Sequence, residues 1–280
     1  MVLDSFCTSS IDGTYKYQFR TDDDYIIEAC VVFFSEKPAP VNICISSQVG
    51  CECSCLFCVT GNKRFVRNLT SEEIEEQVAL IFEHNCNLRQ HKFEITYMGT
   101  GEPLRNKDNV FQSAKRFSQK YDLLHRINIS SIFPDVDIPL QEIFSIKTFV
   151  HFQYSLHFVT DSLRTQYFRR KLAPIQSVFQ VLNELYAINK SPYCVNYVLF
   201  DSINDRPQDA EILSKMMQPL PAYLKISKYC PIKDSTLEES THSKQFCQIL
   251  DEAKIPWKSF ESKGADIHAA CGHLLSDIQF

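Results

Sequence analysis

The regular exchange between two hydrophobic periods restricts the fold of this chain more than any other feature. From Val41 on, short runs with apolar residues at every second position alternate with stretches whose apolar residues recur every three or four. The segment 92–98 places Phe93, Ile95 and Tyr97 on one side of a strand. Ile74, Val78 and Ile81 instead share one face of a helix opened by the capping-box pair Thr70 and Glu73. Strands are expected at 41–46, 92–98, 126–130, 148–155, 193–199 and 223–228, with helices between them that include 175–188 and 237–253. Strands joined through helices run parallel, so the fold class is α/β, and six such units predict a partial (β/α)6 TIM-like barrel. The start of the chain differs. Two β-rich runs, 15–20 and 25–34, flank an acidic turn at Asp22 to Asp24 and predict a hairpin. We therefore expect an N-terminal β extension over 1–40 and one barrel domain over 41–280.

With 280 residues, 44% hydrophobic and 22% charged, the chain can bury a sizeable core, which excludes a disordered chain or a coiled-coil rod. Its 12 cysteines need a separate reason, because Cys44, Cys51, Cys53, Cys55 and Cys58 crowd into one short window. Residues 1–10 lack the basic and apolar regions of a secretory leader, and no run approaches about 18 apolar residues. We expect a cytoplasmic protein, off the membrane, whose reduced thiols serve as metal ligands, catalysts or small hydrophobes. A formal net charge of -5 argues against a strong autonomous nucleic-acid binder, whose footprint is a basic excess. Two local basic stretches, Lys63, Arg64 and Arg67 and then Arg164, Arg169, Arg170 and Lys171, are either phosphate contacts or solvated faces.

In a barrel of this kind the chemistry sits on the loops after the C-terminal ends of the strands. That rule brings four polar motifs to one rim: the cysteine cluster after the first barrel strand, Gly99-Thr100-Gly101-Glu102-Pro103 after the second, Ser130-Ser131 ending the third, and Ser155-Leu156-His157 ending the fourth. Cys51, Cys55 and Cys58, spaced C-x3-C-x2-C, can direct three thiolates at one metal centre and leave one coordination position without a protein ligand. Soft thiolates select zinc or an iron-sulfur cluster, and a structural zinc site would take Cys53 or Cys44 as its fourth ligand.

A three-cysteine loop after the first strand of an α/β barrel resembles the radical S-adenosylmethionine (SAM) enzymes, and the flanking residues narrow the resemblance. Cys44-Ile-Ser-Ser-Gln-Val-Gly-Cys51, Arg67-Asn68-Leu69-Thr70, Met98-Gly-Thr-Gly-Glu-Pro103, Ser155-Leu156-His157, Ile203-Asn204-Asp205 and Gly264-Ala-Asp-Ile-His-Ala-Ala-Cys271-Gly272 occur in order. Over residues 25–275 the chain resembles the radical SAM adenine methyltransferases of large-subunit rRNA.

The resemblance implies an enzyme, a radical SAM C-methyltransferase acting on an sp2 carbon of adenine in RNA, carbon 2 in preference to carbon 8. Carbon 2 is an electron-poor amidine carbon without a nucleophilic lone pair, so it cannot displace a methyl group directly. The resemblance implies a 4Fe-4S cluster on Cys51, Cys55 and Cys58. It implies SAM held by Gly101, Glu102, Ser130, Ser155, Leu156 and His157, with Cys230 standing where the family has an Asn. It further implies that Cys271 carries the methyl group, that Glu28 removes the ring proton, and that Cys44 attacks the Cys271 sulfur to release product, leaving a disulfide that cellular thiols reduce. The implied partners are RNA and an electron donor such as flavodoxin, and the implied state is a monomer. The chain departs from the family in the segment 129–134, which is shorter and lacks a Gly, and in having only about 40 residues where the family places an N-terminal RNA-binding domain. Two other readings stand beside rRNA methylation: the same chemistry on a small-molecule or other non-rRNA substrate, and a non-catalytic relative that keeps the fold and a metal.

Overall fold

The computed structural model describes residues 1–34, 39–233 and 235–276; the parts of the expected 1–40 extension and 41–280 domain at 35–38, 234 and 277–280 lie outside the described residues. In chain order the strands are β1 (Val2–Thr8), β2 (Tyr15–Arg20), β3 (Ile26–Val32), β4 (Val41–Ile45), β5 (Gln48–Val49), β6 (Arg67–Asn68), β7 (Phe93–Tyr97), β8 (Leu124–Ser131), β9 (Val150–Ser155), β10 (Tyr193–Leu199), β11 (Ala222–Lys228) and β12 (Trp257–Phe260). The α-helices are α1 (Ser71–His84), α2 (Lys107–Lys120), α3 (Leu140–Phe144), α4 (Asp161–Phe168), α5 (Ile175–Asn189), α6 (Pro207–Met217) and α7 (Ser243–Glu252). Ten strands form one sheet in the order β1-β2-β3-β4-β7-β8-β9-β10-β11-β12, while β5 and β6 pair separately. Pairing is antiparallel from β1 to β4 and parallel from β4 to β12. The extension is thus three antiparallel strands that continue the barrel sheet.

Alternation along each strand separates two environments. Outward residues such as Ile43, Ile95, Ile127 and Val195 are fully buried under the helices. Tyr97 bonds Ser113 of α2 at 2.6 Å, Tyr154 packs edge-on against Phe179 of α5, and Tyr197 stacks on Phe246 of α7. Each such apolar side chain contributes about 1.5–3 kcal/mol by leaving water. Inward residues are polar and satisfy one another. Asn42 donates to Thr96 at 2.7 Å, Asn128 to Glu94 at 3.0 Å, and Lys225 to Gln153 at 2.8 Å. The inner face is therefore a hydrogen-bonded floor, which leaves the C-terminal rim as the place for a site.

The capping box is present, with Glu73 N donating to Thr70 Oγ1 at 3.2 Å and Thr70 N to Glu73 Oε2 at 2.9 Å. All six expected strands form. A seventh parallel strand, β12, and the N-terminal β1 were not expected; the first is four residues long, and the second is an edge strand with a mainly exposed burial pattern. The expected helix 237–253 starts only at Ser243. The side chains before it are committed to the loop after β10: Ser240 Oγ donates to Asp205 at 2.6 Å and Thr241 to Asp201 at 2.7 Å.

Candidate active site

The rim is built by tying the loop after β4 to the loop after β7. Ser47 N and Gln48 N donate to the Thr100 carbonyl at 2.8 and 3.2 Å, and Thr100 N donates to Ser46 Oγ at 2.8 Å. Buried Gln77 of α1 brackets Ser46, accepting from its N–H at 2.9 Å and donating to its carbonyl at 3.0 Å. Gly101 has φ +106°, and a Cβ there would lie 2.7 Å from the Gln48 side chain, so only glycine fits. The next residue, Glu102, is 4% exposed. Its carboxyl group accepts from Ser131 Oγ at 2.5 Å, Leu104 N at 3.1 Å and Ile132 N at 3.2 Å. Burial nevertheless dominates and pushes its pKa up to about 7. A buried carboxyl group short of positive charge is suited to an ammonium ligand.

The cysteine loop crosses this rim. Cys55 is buried, and Cys51 and Cys58 are half-buried. Phe57 wedges the loop against His157, Phe168 and Phe200, and Leu56 N donates to the Tyr167 carbonyl at 2.9 Å. A hydrogen bond with Cys53 and burial push the Cys51 thiol well up; burial and the neighbouring sulfurs do the same for Cys55, and burial raises Cys58. Such thiols ionise only when a cation compensates them, which is what a metal centre supplies. Three soft thiolates on one loop, with no fourth protein ligand in the C-x3-C-x2-C pattern, suit an iron-sulfur cluster that keeps one coordination position open. Asp201, Asp205 and His242 form a separate group whose ligand atoms lie within 4.8 Å of one another.

The C-terminal segment closes over the rim from both sides. Gly264 N donates to Asp12 Oδ2 at 2.8 Å, and Asp266 accepts from Ser9 Oγ at 2.7 Å, which anchors the segment to the β1/β2 turn. Val59 N donates to the Gly272 carbonyl at 2.7 Å, Thr60 Oγ1 to the Leu274 carbonyl at 3.2 Å, and His273 Nε2 meets the Cys230 carbonyl at 3.0 Å. Between these anchors Cys271 is exposed, and its thiol donates to Met98 Sδ at 3.7 Å. The Met98 N–H in turn reaches the sulfur of Cys44. Glu28 is fully buried on the same inner face, one alternate residue nearer the rim than Cys30, the residue opposite Cys44. It accepts from Leu275 N and from Gln18 Nε2, both at 2.7 Å, and pairs with Lys16 at 3.3 Å.

The remaining expected cofactor residues differ in what they offer. Ser130 faces inward and accepts from Asn196 Nδ2 at 3.4 Å, whereas its neighbour Ser131, part of the same rim motif but not expected to hold the cofactor, is the hydroxyl on Glu102. Ser155 is half-exposed at the end of β9. Leu156 is fully buried, and its N–H is committed to the carbonyls of Tyr154 and Asn196 at 3.0 and 3.1 Å. His157 adopts φ 54°, accepts from Val198 N at 3.2 Å, and has its pKa lowered to about 3 by burial, so the ring is neutral. Cys230 lies half-buried after β11 beside the C-terminal segment.

Two of the basic residues weighed as phosphate contacts are structural. Arg164 is 1% exposed and donates to the Ala173 and Ile132 carbonyls, both at 2.8 Å. Arg67 is held between Asp23 and Glu73. Arg64, Arg169 and Lys171 remain exposed. No described helix is long and apolar enough to cross a membrane.

No family model matches the sequence. A probable dual-specificity RNA methyltransferase RlmN from Thermosipho melanesiensis is 33% identical over 277 residues, covering 95% of this chain and 77% of the relative. The dual-specificity RNA methyltransferase RlmN from Campylobacter hominis is 31% identical, with 96% and 79% covered. Among solved structures, a radical SAM methyltransferase from Sphaerobacter thermophilus superposes with a TM-score of 0.88 at 26% identity, covering 98% of this chain and 81% of that one. The α/β fold with its mostly parallel sheet, the cysteine loop and these relatives agree: the chain belongs to the radical SAM dual-specificity RNA methyltransferases, enzymes that use a 4Fe-4S cluster and SAM.

Proposed function

We propose that this enzyme methylates carbon 2 of an adenine in RNA through a covalent cysteine intermediate. The observation that carries the reading is the seating of Cys271 between the cysteine loop, through Val59 and Gly272, and Cys44, through Met98. Cys51, Cys55 and Cys58 hold the cluster, and Gly101 and Glu102 hold the methionine end of SAM. Once bound, these cofactors supply the carbon-radical chemistry that an electron-poor ring carbon needs.

The roles of the chain's own residues follow from their placement. Cys271, exposed on a segment anchored at both ends, bonds to the transferred carbon and so joins protein to RNA. Glu28, with two N–H donors and an ammonium on its oxygens, accepts the ring proton. Cys44 then attacks the Cys271 sulfur: an S–S bond forms, the bond from sulfur to the transferred carbon breaks, and its electron pair leaves with that carbon, which takes up a proton. The substrate is an rRNA or tRNA adenosine, reached by an enzyme acting as a monomer and reduced by a small electron carrier such as flavodoxin. Ser130, Ser155, Leu156, His157 and Cys230 line the SAM side of the rim, Leu156 and His157 by shaping it.

Cys44→Ala, expressed with its cluster, tests this directly. RNA is expected to stay covalently attached to Cys271, seen as a nuclease-resistant adenine nucleotide on the Cys271 peptide by mass spectrometry. Only unmodified or S-methylated Cys271 in that variant would refute the reading. The linkage site on the ring identifies the carbon.

A further inference from the structure

A third thiol stands beside the pair used above. Cys30 lies directly opposite Cys44 in the β3/β4 ladder. Opposed residues of an antiparallel pair project from the same face with Cα atoms about 4.5–5.5 Å apart, inside the about 4.4–6.8 Å that a disulfide spans. The neighbouring Cys30 and burial together push the Cys44 thiol well up. Cys44 in turn communicates with Cys271 through Met98, whose N–H reaches the Cys44 sulfur and whose Sδ lies 3.7 Å from Cys271 Sγ. Cys30 is buried, Cys44 half-buried and Cys271 exposed, so exposure rises from the sheet pair to the thiol on the closing segment.

We propose that Cys30 is a relay thiol that attacks Cys44 in the Cys44–Cys271 disulfide left by turnover and moves the disulfide one rung into the sheet. This rests on the reading of Cys271 as the methyl carrier and Cys44 as its resolving thiol. In the step the Cys30–Cys44 bond forms and the Cys44–Cys271 bond breaks. The electron pair leaves with Cys271, and the proton given up by Cys30 is taken by the departing Cys271 thiolate. One disulfide is exchanged for another without net oxidation. An external dithiol later supplies the two electrons and two protons that reduce Cys30–Cys44. The consequence is that Cys271 regains its free thiol, and with it the capacity to accept a methyl group, before the reductant arrives.

The experiment uses the full chain with its cluster, held anaerobically and given one equivalent of diamide, then acid-quenched at intervals, alkylated and mapped by mass spectrometry. In the native sequence the Cys44–Cys271 linkage should appear first and give way to Cys30–Cys44, with Cys271 becoming alkylated. In Cys30→Ser the Cys44–Cys271 linkage should persist. Persistence of Cys44–Cys271 in the native protein, with Cys30 alkylated throughout, overturns the relay and leaves the resolving pair intact. Failure of Cys30→Ser to form Cys44–Cys271, with the native protein also lacking it, overturns the resolving pair and the relay together.

Discussion

Glu102 offers a test of the site that needs no substrate. Its carboxyl group is 4% exposed, and burial raises its pKa from 4.5 to about 7 against the opposing pull of Ser131, Leu104 and Ile132. That rise, from 4.5 to about 7, corresponds to about 3.4 kcal/mol. Because the folded-state value is raised, this contribution to stability is whole below about pH 4.5 and is lost as pH rises towards about 7. Glu102→Gln keeps the side-chain shape and removes the titration. Across pH 5 to 8 the stability of the variant relative to the native protein should therefore grow by about 2.5 kcal/mol, whatever constant offset the amide introduces. Urea unfolding of the cluster-free, SAM-free protein at the two pH values measures this double difference, and comparing the two proteins cancels the other carboxylates. A difference that is the same at both pH values would show that the Glu102 carboxyl group is solvated and not starved of positive charge. The same substitution should weaken SAM binding by about tenfold or more, since a charge-assisted hydrogen bond to an ammonium is replaced by a neutral one.

Three further outcomes follow from the placement of single side chains. Lys16→Met removes the cation beside fully buried Glu28 and should destabilise the fold by about 3–5 kcal/mol in urea unfolding, because the carboxylate is left buried without its charge partner. Cys55→Ser, reconstituted anaerobically with iron and sulfide, should lose most of its iron and its visible absorption, whereas Cys53→Ser should keep both. Arg164→Met should lower stability by about 2–4 kcal/mol through the stranded Ala173 and Ile132 carbonyls and leave the salt dependence of RNA binding unchanged. Arg169→Ala should instead flatten that salt dependence by about one counterion.

What the sequence disclosed depended on whether a residue's environment repeats along the chain. The outward rows of the barrel strands, such as Phe93, Ile95 and Tyr97, announce themselves by a period of two, and helix α1 by its cap and its apolar face, so the parallel architecture was legible. β1 carries no such pattern because an edge strand with mainly exposed side chains has no apolar row to display. Arg164 reads as surface in any composition argument, yet its guanidinium donates to two buried carbonyls and lies 5.2 Å from the Tyr154 ring, contacts made by chain folding far from its neighbours. The Ser130-Ser131 pair marks the rim in the sequence, but which of the two meets Glu102 depends on a contact 29 residues away along the chain, and it is Ser131. The cysteine loop was legible by spacing alone.

The closing segment explains how one rim can serve both a buried cofactor and a bulky polymer. Its backbone is fixed on one side by Asp12 and Ser9 and on the other by Val59, Thr60 and Glu28. Cys271 lies between the two sets of anchors, with Gly272 at φ +82° allowing the chain to turn immediately after it. Its thiol makes a weak contact with the Met98 thioether. In the proposed reaction, the anchored backbone keeps the thiol between the cysteine loop and Cys44. Glu28 couples these functions, because the oxygen that accepts from Leu275 holds the segment down while the other faces Gln18 and Lys16. In the proposed reaction, the carboxylate that accepts the ring proton is therefore also one of the groups that hold the segment bearing Cys271.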